Sequence, residues 1–273
     1  MDQREVWDDV VGDGWVRHAD FQEHHSRTFG LAAIDALGPI EGADVLEVGC
    51  GTGSMSFELA ARGAGSVLGL DLSTRMIAAA QRRLDAAPDP RIHFEAMDVT
   101  TAAPTSGFDV VYSRFGVMFF ADPVGGFRAL RDMTRPGGHL GFACWRPPFD
   151  NPWMLAPVMA SFEVLGPPEL PGPGEPGPFS LANEEDLHTV LGAAGWQDIE
   201  VRTISNSFPF DAGGPEATAS AVMEINPVLG LGLRKAPEKA DELRSVIAAT
   251  LALHQVDGVI TFGSVANIVT ATA

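Results

Sequence analysis

Residues 44–53 have the sequence DVLEVGCGTG, an apolar run that ends in three alternating glycines, Gly49, Gly51 and Gly53. An apolar run of this length predicts a buried strand. Glycine has no Cβ atom, so three glycines directly after a strand predict a turn whose backbone approaches a ligand closely. A tight turn without a ligand is the alternative, but acidic residues at later strand ends favour a site for a nucleotide-like cofactor.

Strands and helices alternate on both sides of this stretch. Further strands are predicted to begin at or near Ser66, Ile92, Phe108 and His139, and two more cover residues 198–205 and 264–273. Helices are predicted at residues 54–63, from the N-cap Ser73 to Leu84, from Pro123 to Met133, and within residues 180–196. This order indicates an α/β fold, a seven-stranded and mostly parallel sheet between helices. Ligands of such sheets bind at the carboxyl ends of the strands.

Composition and charge exclude several classes of function. The 273 residues carry a formal net charge of −18 and a pI near 4.6, which would repel a phosphate backbone or an anionic membrane. An acidic N-terminus and the absence of an apolar run of about 18 to 20 residues predict a cytoplasmic protein. Two cysteines, Cys50 and Cys144, offer neither a disulfide framework nor a zinc site, and no His and carboxylate cluster suggests a metal.

The remaining segments are expected to form a helical cap over the ligand edge of the sheet. A cofactor-binding core is predicted at residues 41–145, continued by a core helix and strand at 181–210 and a final strand at 257–273. The cap would consist of an N-terminal helical segment at residues 1–40, a Pro- and Gly-rich lid at 146–180 and a helical insertion at 211–256.

The spacing of the glycines and acidic residues narrows the choice of cofactor. A dinucleotide fingerprint, G-x-G-x-x-G, requires glycine where this chain has Ser54. Glu47 instead precedes the turn, Asp71 ends the second strand and Asp98 follows the third. Carboxylates at these ends can accept hydrogen bonds from ribose hydroxyls and from an adenine amino group. Asp71 as a helix cap and Asp98 as a turn cap are the alternatives, and an adenosine with a zwitterionic tail is the ligand that fits.

The motifs VLEVGCGTG, GLDLS, AMDV, FDVVYSRFGVMFF and RPGG resemble those of the class I S-adenosylmethionine-dependent methyltransferases, in the small-molecule group of the ubiquinone and menaquinone C-methyltransferases. The resemblance is strong from Ala43 to Trp145 and implies a Rossmann-like fold and S-adenosyl-L-methionine as cofactor, with S-adenosyl-L-homocysteine as product. It implies that Glu47 and the turn Gly49, Cys50, Gly51 and Gly53 hold the amino acid part, and that Asp71 binds the ribose beside Leu72 and Met76. Met97, Asp98 and Val99 would frame the adenine, and the backbone of Ser113 and Arg114 would meet the methionine ammonium, with little part for the Arg114 side chain.

Candidate residues for binding the methyl acceptor are predicted in the N-terminal segment. On one helix, Trp15, His18, Gln22, His25 and Phe29 would share a face with a titratable middle, which suits a substrate pocket. His18 and His25 are the candidate catalytic bases, and Trp15 and Gln22 candidate substrate contacts. A partly solvated helix is the alternative. Phe115, Met118, Trp145 and Arg146 follow strand ends and are further candidate substrate residues, with core packing or a surface ion pair as alternatives.

The sequence therefore predicts transfer of a methyl group by in-line displacement to a carbon, oxygen or nitrogen atom of a small, apolar or aromatic metabolite. A nicotinamide-dependent oxidoreductase and a non-catalytic cofactor-binding module are the competing interpretations. The acceptor and the choice between a monomer and a homodimer stay open.

Overall fold

A computed structural model describes residues 3–101, 107–168 and 175–273. Its strands form one twisted sheet: β1 (Asp44–Val48), β2 (Ser66–Asp71), β3 (Ile92–Ala96), β4 (Phe108–Arg114), β5 (Thr134–Trp145), β6 (Gln197–Pro209), β7 (Gln255–Val256) and β8 (Val259–Thr272). Their order is β3-β2-β1-β4-β5-β8-β6, with β7 paired only to β8. The predicted α/β, Rossmann-like sheet is confirmed.

Strand directions place the ligand edge. Strands β3, β2, β1, β4 and β5 are parallel, and β8 runs antiparallel between β5 and β6. Val45 of β1 pairs with Val67 of β2 on one side and with Val110 of β4 on the other. The chain thus leaves β1 in one direction and returns on its other side at β4, and a crevice opens at the carboxyl ends where these crossovers diverge.

The helices are α1 (Gln3–Glu5), α2 (Gly12–Arg17), α3 (Ala19–Leu37), α4 (Ser54–Ala61), α5 (Thr74–Ala86), α6 (Pro123–Met133), α7 (Pro152–Leu165), α8 (Glu184–Ala194), α9 (Pro215–Ile225), α10 (Pro227–Lys235) and α11 (Ala240–Ala252). A π-helical turn, Val6–Val10, separates α1 from α2. No helix of the described residues is both long and apolar enough to span a bilayer.

Alternate side chains of β5 contact opposite helix layers. A Cβ atom on Gly141 would lie 2.6 Å from Leu37 of α3, whereas Phe142 lies 5.4 Å from Phe127 of α6 between ring centroids. Because successive residues of a strand point to opposite faces, α3 and α6 cover the two sides of the sheet. Both layers are apolar, as a mostly parallel sheet requires.

Two predicted helix starts are confirmed with their capping contacts. The Ser73 Oγ accepts a hydrogen bond of 3.2 Å from the Met76 N–H at the start of α5. Asp122 accepts one of 3.0 Å from the Gly125 N–H at the start of α6. These side chains satisfy backbone donors that a helix N-terminus leaves unpaired.

Three predictions of local structure need correction. The single helix expected at residues 14–29 is interrupted at His18, whose φ of −103° and ψ of 25° separate α2 from α3. The Pro- and Gly-rich segment contains the 14-residue helix α7, and its residues 169–174 lie outside the described part. An eighth strand, β7, forms a hairpin with β8 through Asp257 and Gly258, which both have positive φ.

Candidate functional site

The turn requires glycine at three positions, for different structural reasons. Their φ angles are 71° at Gly49, 54° at Gly51 and 81° at Gly53, all in the left-handed region that glycine tolerates best. A Cβ atom at Gly49 would lie 2.8 Å from the Gly116 Cα, and one at Gly53 would lie 2.6 Å from the Phe94 ring. A Cβ atom at Gly51 would have no protein atom within 4 Å. Gly51 therefore faces open space at the carboxyl end of β1, as a cradle for a ligand would.

Asp71 holds this turn against the end of β2. Its carboxylate accepts hydrogen bonds from the Gly51 N–H at 2.8 Å and from the Ser73 N–H at 2.9 Å. Burial raises the pKa of this carboxyl, although the two backbone hydrogen bonds act to lower it. Each carboxylate oxygen can accept more than one hydrogen bond, so Asp71 can also receive ligand hydroxyls.

Asp98 lies past the neighbouring strand β3. Its Oδ1 accepts hydrogen bonds from the Thr100 N–H at 2.9 Å and the Thr100 Oγ1 at 2.6 Å, so it caps this turn. Asp98 lies at the same edge of the sheet as Asp71, because the N–H of the preceding Met97 donates to the Asp71 carbonyl oxygen at 2.9 Å. Val99 and Met76 are buried, and Leu72 and Met97 are half-buried beside them.

Glu47 is buried at the end of β1, with 1% of its surface exposed. Its Oε2 accepts a hydrogen bond from the Ser56 hydroxyl of α4. Burial raises the pKa of the carboxyl to about 7, although the hydrogen bond from Ser56 acts to lower it. Glu47 thus joins β1 to α4 directly behind the glycine turn. The neighbouring Cys50 is a buried thiol whose pKa burial raises.

The side chain of Arg114 has a role that sequence reasoning missed. Its Nη1 donates to Glu23 Oε2 at 2.8 Å and its Nη2 donates to Ser54 Oγ at 3.1 Å, while the Ser54 hydroxyl donates to the same Glu23 oxygen at 2.6 Å. Burial acts to raise the pKa of Glu23, but Arg114 and Ser54 outweigh it and the pKa is lowered. This triad connects α3, the start of α4 and the end of β4, so the guanidinium is part of the site's framework.

Ser113 fixes the backbone at the end of β4. Its buried hydroxyl donates to the Val48 carbonyl oxygen at 2.7 Å and accepts from the Gly116 N–H at 3.1 Å. The residue after Arg114 is Phe115, a non-glycine residue with a φ of 65°. Strained backbone of this kind persists where the surroundings hold it, and it is common at functional sites.

Asp8 is a second residue that the sequence did not single out. Its carboxylate accepts hydrogen bonds from the Ser73 Oγ at 2.7 Å, the Thr74 Oγ1 at 3.2 Å and the Arg75 N–H at 3.4 Å. The N-terminal segment therefore lies on the residues that directly follow Asp71. Nothing in its sequence, WDDV, distinguishes Asp8 from Asp9 as the residue that makes these contacts.

A set of rings extends from the end of β4 towards α7 and β6. We call it the aromatic cluster: Phe21, His25, Phe29, Phe115, Trp145, Trp153, Phe208, Phe210 and Phe262. Phe115 stacks on Trp145 with ring centroids 3.8 Å apart and planes 9° from parallel. Trp145 in turn contacts Trp153, and Trp153 contacts His25 at 4.6 Å. The cluster thus begins at the strained Phe115, beside the cofactor edge.

The two candidate bases have different environments. His25 is 2% exposed and stacks on Phe208, and burial lowers its pKa to about 3. Its Nδ1 lies 3.3 Å from the Phe21 carbonyl oxygen, which only accepts, so the neutral ring carries its proton there. His18 lies at the helix break, where its Nε2 is 3.1 Å from Glu224 Oε2. A base with so low a pKa accepts a proton poorly, which favours His18 over His25 for such a role.

The other candidate substrate residues are dispersed. The Trp15 Nε1 donates to the Ile225 carbonyl oxygen at 2.9 Å, so this ring anchors α2 to α9. Gln22 is buried beside the cluster, and Met118 is buried with its sulfur 3.4 Å from the Trp145 N–H. Arg146 pairs with Asp150 at 3.3 Å, the surface ion pair that was the alternative for it. Across the described residues, no three His, Cys, Asp or Glu side chains are grouped as a metal site would need.

Comparisons with known proteins agree with this geometry. Residues 45–138 match the model of a family described as a methyltransferase domain. The chain is 36% identical over 140 residues to a demethylmenaquinone methyltransferase of Beutenbergia cavernae, covering 51% of this chain and 52% of that one. It is 32% identical over 132 residues to a ubiquinone biosynthesis O-methyltransferase of Paracidovorax citrulli, covering 47% and 55%. These matches span about half the length of the curated relatives.

The fold also resembles solved structures. The magnesium protoporphyrin IX methyltransferase of Synechocystis, solved with S-adenosylhomocysteine bound, superposes with a TM-score of 0.56 at 22% identity, covering 76% of this chain and 93% of that one. At this identity the likeness concerns the fold alone.

Proposed function

We propose that this chain, a member of the class I S-adenosylmethionine-dependent methyltransferases, transfers a methyl group to a carbon, oxygen or nitrogen atom of a small, apolar or aromatic metabolite. The observation that carries the proposal is the open space at Gly51, bordered by the Asp71 carboxylate and lying at the end of the strand that holds Glu47. At the carboxyl end of a strand, a glycine with positive φ and no protein neighbour at its Cβ position leaves room for a ligand, and the acids around it suit hydroxyl and amine groups.

The cofactor would lie along the carboxyl ends of β1, β2 and β3. The turn Gly49, Cys50, Gly51 and Gly53 would hold its amino acid part, with Glu47 behind it and the Ser113 and Arg114 backbone facing the ammonium. Asp71 would accept hydrogen bonds from the ribose hydroxyls, next to Leu72 and Met76. Asp98, using the oxygen that Thr100 leaves free, would accept from the adenine amino group between Met97 and Val99.

The chain itself contributes to the reaction by placing the acceptor next to the cofactor's methyl group and by excluding water from the site. The bound cofactor supplies an electrophilic methyl group on a sulfonium, which needs a nucleophile about 3 to 3.5 Å away and in line. The residues 1–40, 146–180 and 211–256 would form a cap over this edge. Asp8 and the triad of Glu23, Ser54 and Arg114 would hold the N-terminal part of that cap against the cofactor loops.

An acceptor with a hydroxyl or acidic carbon also needs a base. His18 is the better candidate, because its side chain is 21% exposed beside Glu224, whereas His25 is buried with a pKa of about 3. His18→Ala is expected to lower the methyl-transfer rate and to leave cofactor affinity near normal. Unchanged turnover in His18→Ala and His25→Ala would remove the base hypothesis.

A nicotinamide-dependent oxidoreductase is the competing enzyme. Its fingerprint needs a glycine in place of Ser54, and here the Ser54 hydroxyl bonds Glu23 and Arg114. A calorimetric titration separates the two: S-adenosylhomocysteine should bind with one site per chain and NADH should not. Incubation with methyl-labelled S-adenosylmethionine and a metabolite extract then separates an enzyme, which labels an extract component, from a module that only binds. Location in the cytoplasm and a monomer or homodimer stay predictions.

A further inference from the structure

Strand β6 forms one edge of the sheet and is the longer of its two edge strands. It has 13 residues, whereas β3 at the other edge has 5. Among residues 3–101, 107–168 and 175–273, no strand pairs with the outer side of β6. An edge of this length offers a row of backbone N–H and C=O groups to a further strand.

The hydrogen-bond pattern shows which residues of β6 face outward. Directly after the strand, the Phe210 N–H donates to the Ile260 carbonyl oxygen of β8 at 2.7 Å, and the register stays unbroken back to the bulge at the start of β6. In an antiparallel pair, residues whose N–H and C=O point to the neighbour alternate with residues whose groups point away. Ser205 is of the second kind, because Val265 opposite it binds residues that follow β5 through its own N–H and C=O. The outward-facing residues are Val201, Thr203, Ser205 and Ser207.

The middle of this edge lacks the features that normally keep edge strands from pairing. Those features are charged side chains, prolines and bulges. In β6 they occur only towards the ends, as a bulge and three charged residues within 198–202 and as Pro209. Residues 203–208 between them have the uncharged sequence TISNSF, and the three outward-facing residues of this stretch are all exposed. Another strand can therefore pair with this part of the edge.

The backbone of this edge is complementary to itself. A two-fold axis through Ile204 would place two β6 strands antiparallel to each other. Val201 of one copy is then opposite Ser207 of the second, and Thr203 is opposite Ser205. Each of these pairs brings together two outward-facing residues, so each forms backbone hydrogen bonds in both directions. All four outward-facing residues of both copies are used.

The side chains of this edge are also compatible in that register. Ile204 packs against Ile204 of the second copy, and Arg202 lies opposite Asn206, whose amide oxygen can accept from the guanidinium. Threonine and serine oppose each other next to them, a cross-strand pair that can form hydrogen bonds. An axis through Arg202 would instead place two arginines face to face, so charge selects the axis through Ile204.

We propose that β6 is an interface between two copies of this chain, which join their sheets edge to edge through residues 201–207. The contact is weak, because one pair of strands buries less surface than the roughly 1,600 Å² of a standard interface. The net charge of −18 on each chain also opposes association. Salt screens this repulsion and therefore strengthens the dimer. The cofactor edge at β1–β3 lies at the other end of the strand order, so each copy keeps its own site.

Sedimentation velocity of the full chain tests for the dimer. At about 100 μM the wild type should sediment mainly with twice the chain mass of 28.9 kDa, and at about 1 μM mainly as a monomer. Raising the salt concentration from about 0.05 to about 0.5 M should increase the dimer fraction. Sedimentation as a monomer under all of these conditions would overturn the proposal.

Amide hydrogen exchange, resolved by residue, tests for the surface. The outward amides of Val201, Thr203, Ser205 and Ser207 should exchange at least about threefold more slowly at the higher protein concentration. The alternate amides at 202, 204, 206 and 208 point to β8 and should change little. A dimer without added protection at the outward amides uses another surface and would overturn the proposal.

Two substitutions at Ser205 should produce monomers at about 100 μM. Ser205→Pro removes an outward N–H at an edge position, where proline leaves the pairing with β8 intact. Ser205→Glu keeps the N–H and brings two carboxylates together across the axis, and it serves as the test if the proline variant does not fold by circular dichroism. Ser245→Glu is the matched control, because it adds the same charge at an exposed position of α11 and should stay dimeric. A dimer that persists in the folded Ser205 variants, or one that Ser245→Glu disrupts equally, would overturn the proposal.

Discussion

Gly51→Ala separates the two reasons for which a chain keeps glycines in this turn. The φ of 54° at Gly51 is unfavourable for alanine by about 1 to 2 kcal/mol, but the added methyl group meets no protein atom within 4 Å. The folded protein should therefore lose about 1 to 2 kcal/mol from the backbone strain alone, with a fall in Tm of about 2 to 4 °C for each kcal/mol. The methyl group would occupy the space assigned to the cofactor.

Cofactor binding should be weakened in addition to this loss of stability. Forcing an extra methyl group into a closely packed contact costs about 1 to 3 kcal/mol, so the Kd for S-adenosylhomocysteine should rise at least about fivefold. Isothermal titration calorimetry measures this Kd, and urea unfolding measures the stability of the same sample.

Gly42→Ala is the matched control for Gly51→Ala. Gly42 has a φ of 73° and also has no atom within 4 Å of its Cβ position, but it precedes β1 at the opposite edge of the sheet. It should lose similar stability and keep the wild-type Kd. An unchanged Kd in Gly51→Ala, or an equal loss of affinity in both variants, would refute the assignment of the open space to the cofactor.

Three other predictions concern stability and the cap. Burial raises the pKa of Glu47 from 4.5 to about 7. The stabilisation that its bound proton provides is therefore complete below about pH 4.5 and lost as the pH rises through about 7, a total of about 3 kcal/mol in unfolding free energy. In urea unfolding, Glu47→Gln should be as stable as the wild type at pH 4.5 and more stable at pH 8.5, and parallel pH profiles of the two proteins would contradict this. Trp153→Phe removes an unpartnered N–H and should lower the unfolding free energy less than Trp196→Phe, which breaks a 2.9 Å hydrogen bond worth about 1 kcal/mol; the opposite order in denaturant titrations would count against it. Asp8→Ala removes the hydrogen bonds to Ser73, Thr74 and Arg75 and should speed protease cleavage within residues 3–17, while the Tm falls by no more than a few degrees. An unchanged cleavage rate would show that Asp8 does not hold this segment.

The core of the fold was predictable because its signals are local. The apolar run of β1 ends at glycines, Ser73 and Asp122 cap helices in their own sequence neighbourhood, and the helix Pro123–Met133 has its expected bounds. The hairpin of β7 and β8 also had a local signal that was overlooked: Asp257 and Gly258 form the dipeptide typical of two-residue hairpin turns.

The cap was less predictable because distant contacts determine it. The apolar spacing from Trp15 to Phe29 contains no stop signal at His18, yet the helix breaks there. Trp15 and His18 bind Ile225 and Glu224, more than 200 residues away in sequence. Gly14 lies so close to the Glu224 backbone that no Cβ atom would fit. Spacing along one segment carries no information about such a partner.

The same reason explains what was missed in the site. Glu23 is not on the helix face predicted to line the substrate pocket, but Arg114, 91 residues later, and Ser54 bring it to the glycine turn. His25 was predicted to line a pocket as a base, and only the packing of the four rings of Phe21, Trp153, Phe208 and Phe210 around it reveals how strongly burial lowers its pKa. Residue types and strand ends indicated the cofactor edge, while the acceptor side required the tertiary structure.

A crystal structure of the protein with S-adenosylhomocysteine tests the central claim most directly. We expect the amino acid part of the ligand over Gly51, both ribose hydroxyls within hydrogen-bond distance of the Asp71 carboxylate, and the sulfur directed towards Phe115 and the aromatic cluster. A ligand bound elsewhere, or a ribose out of reach of Asp71, would contradict the account.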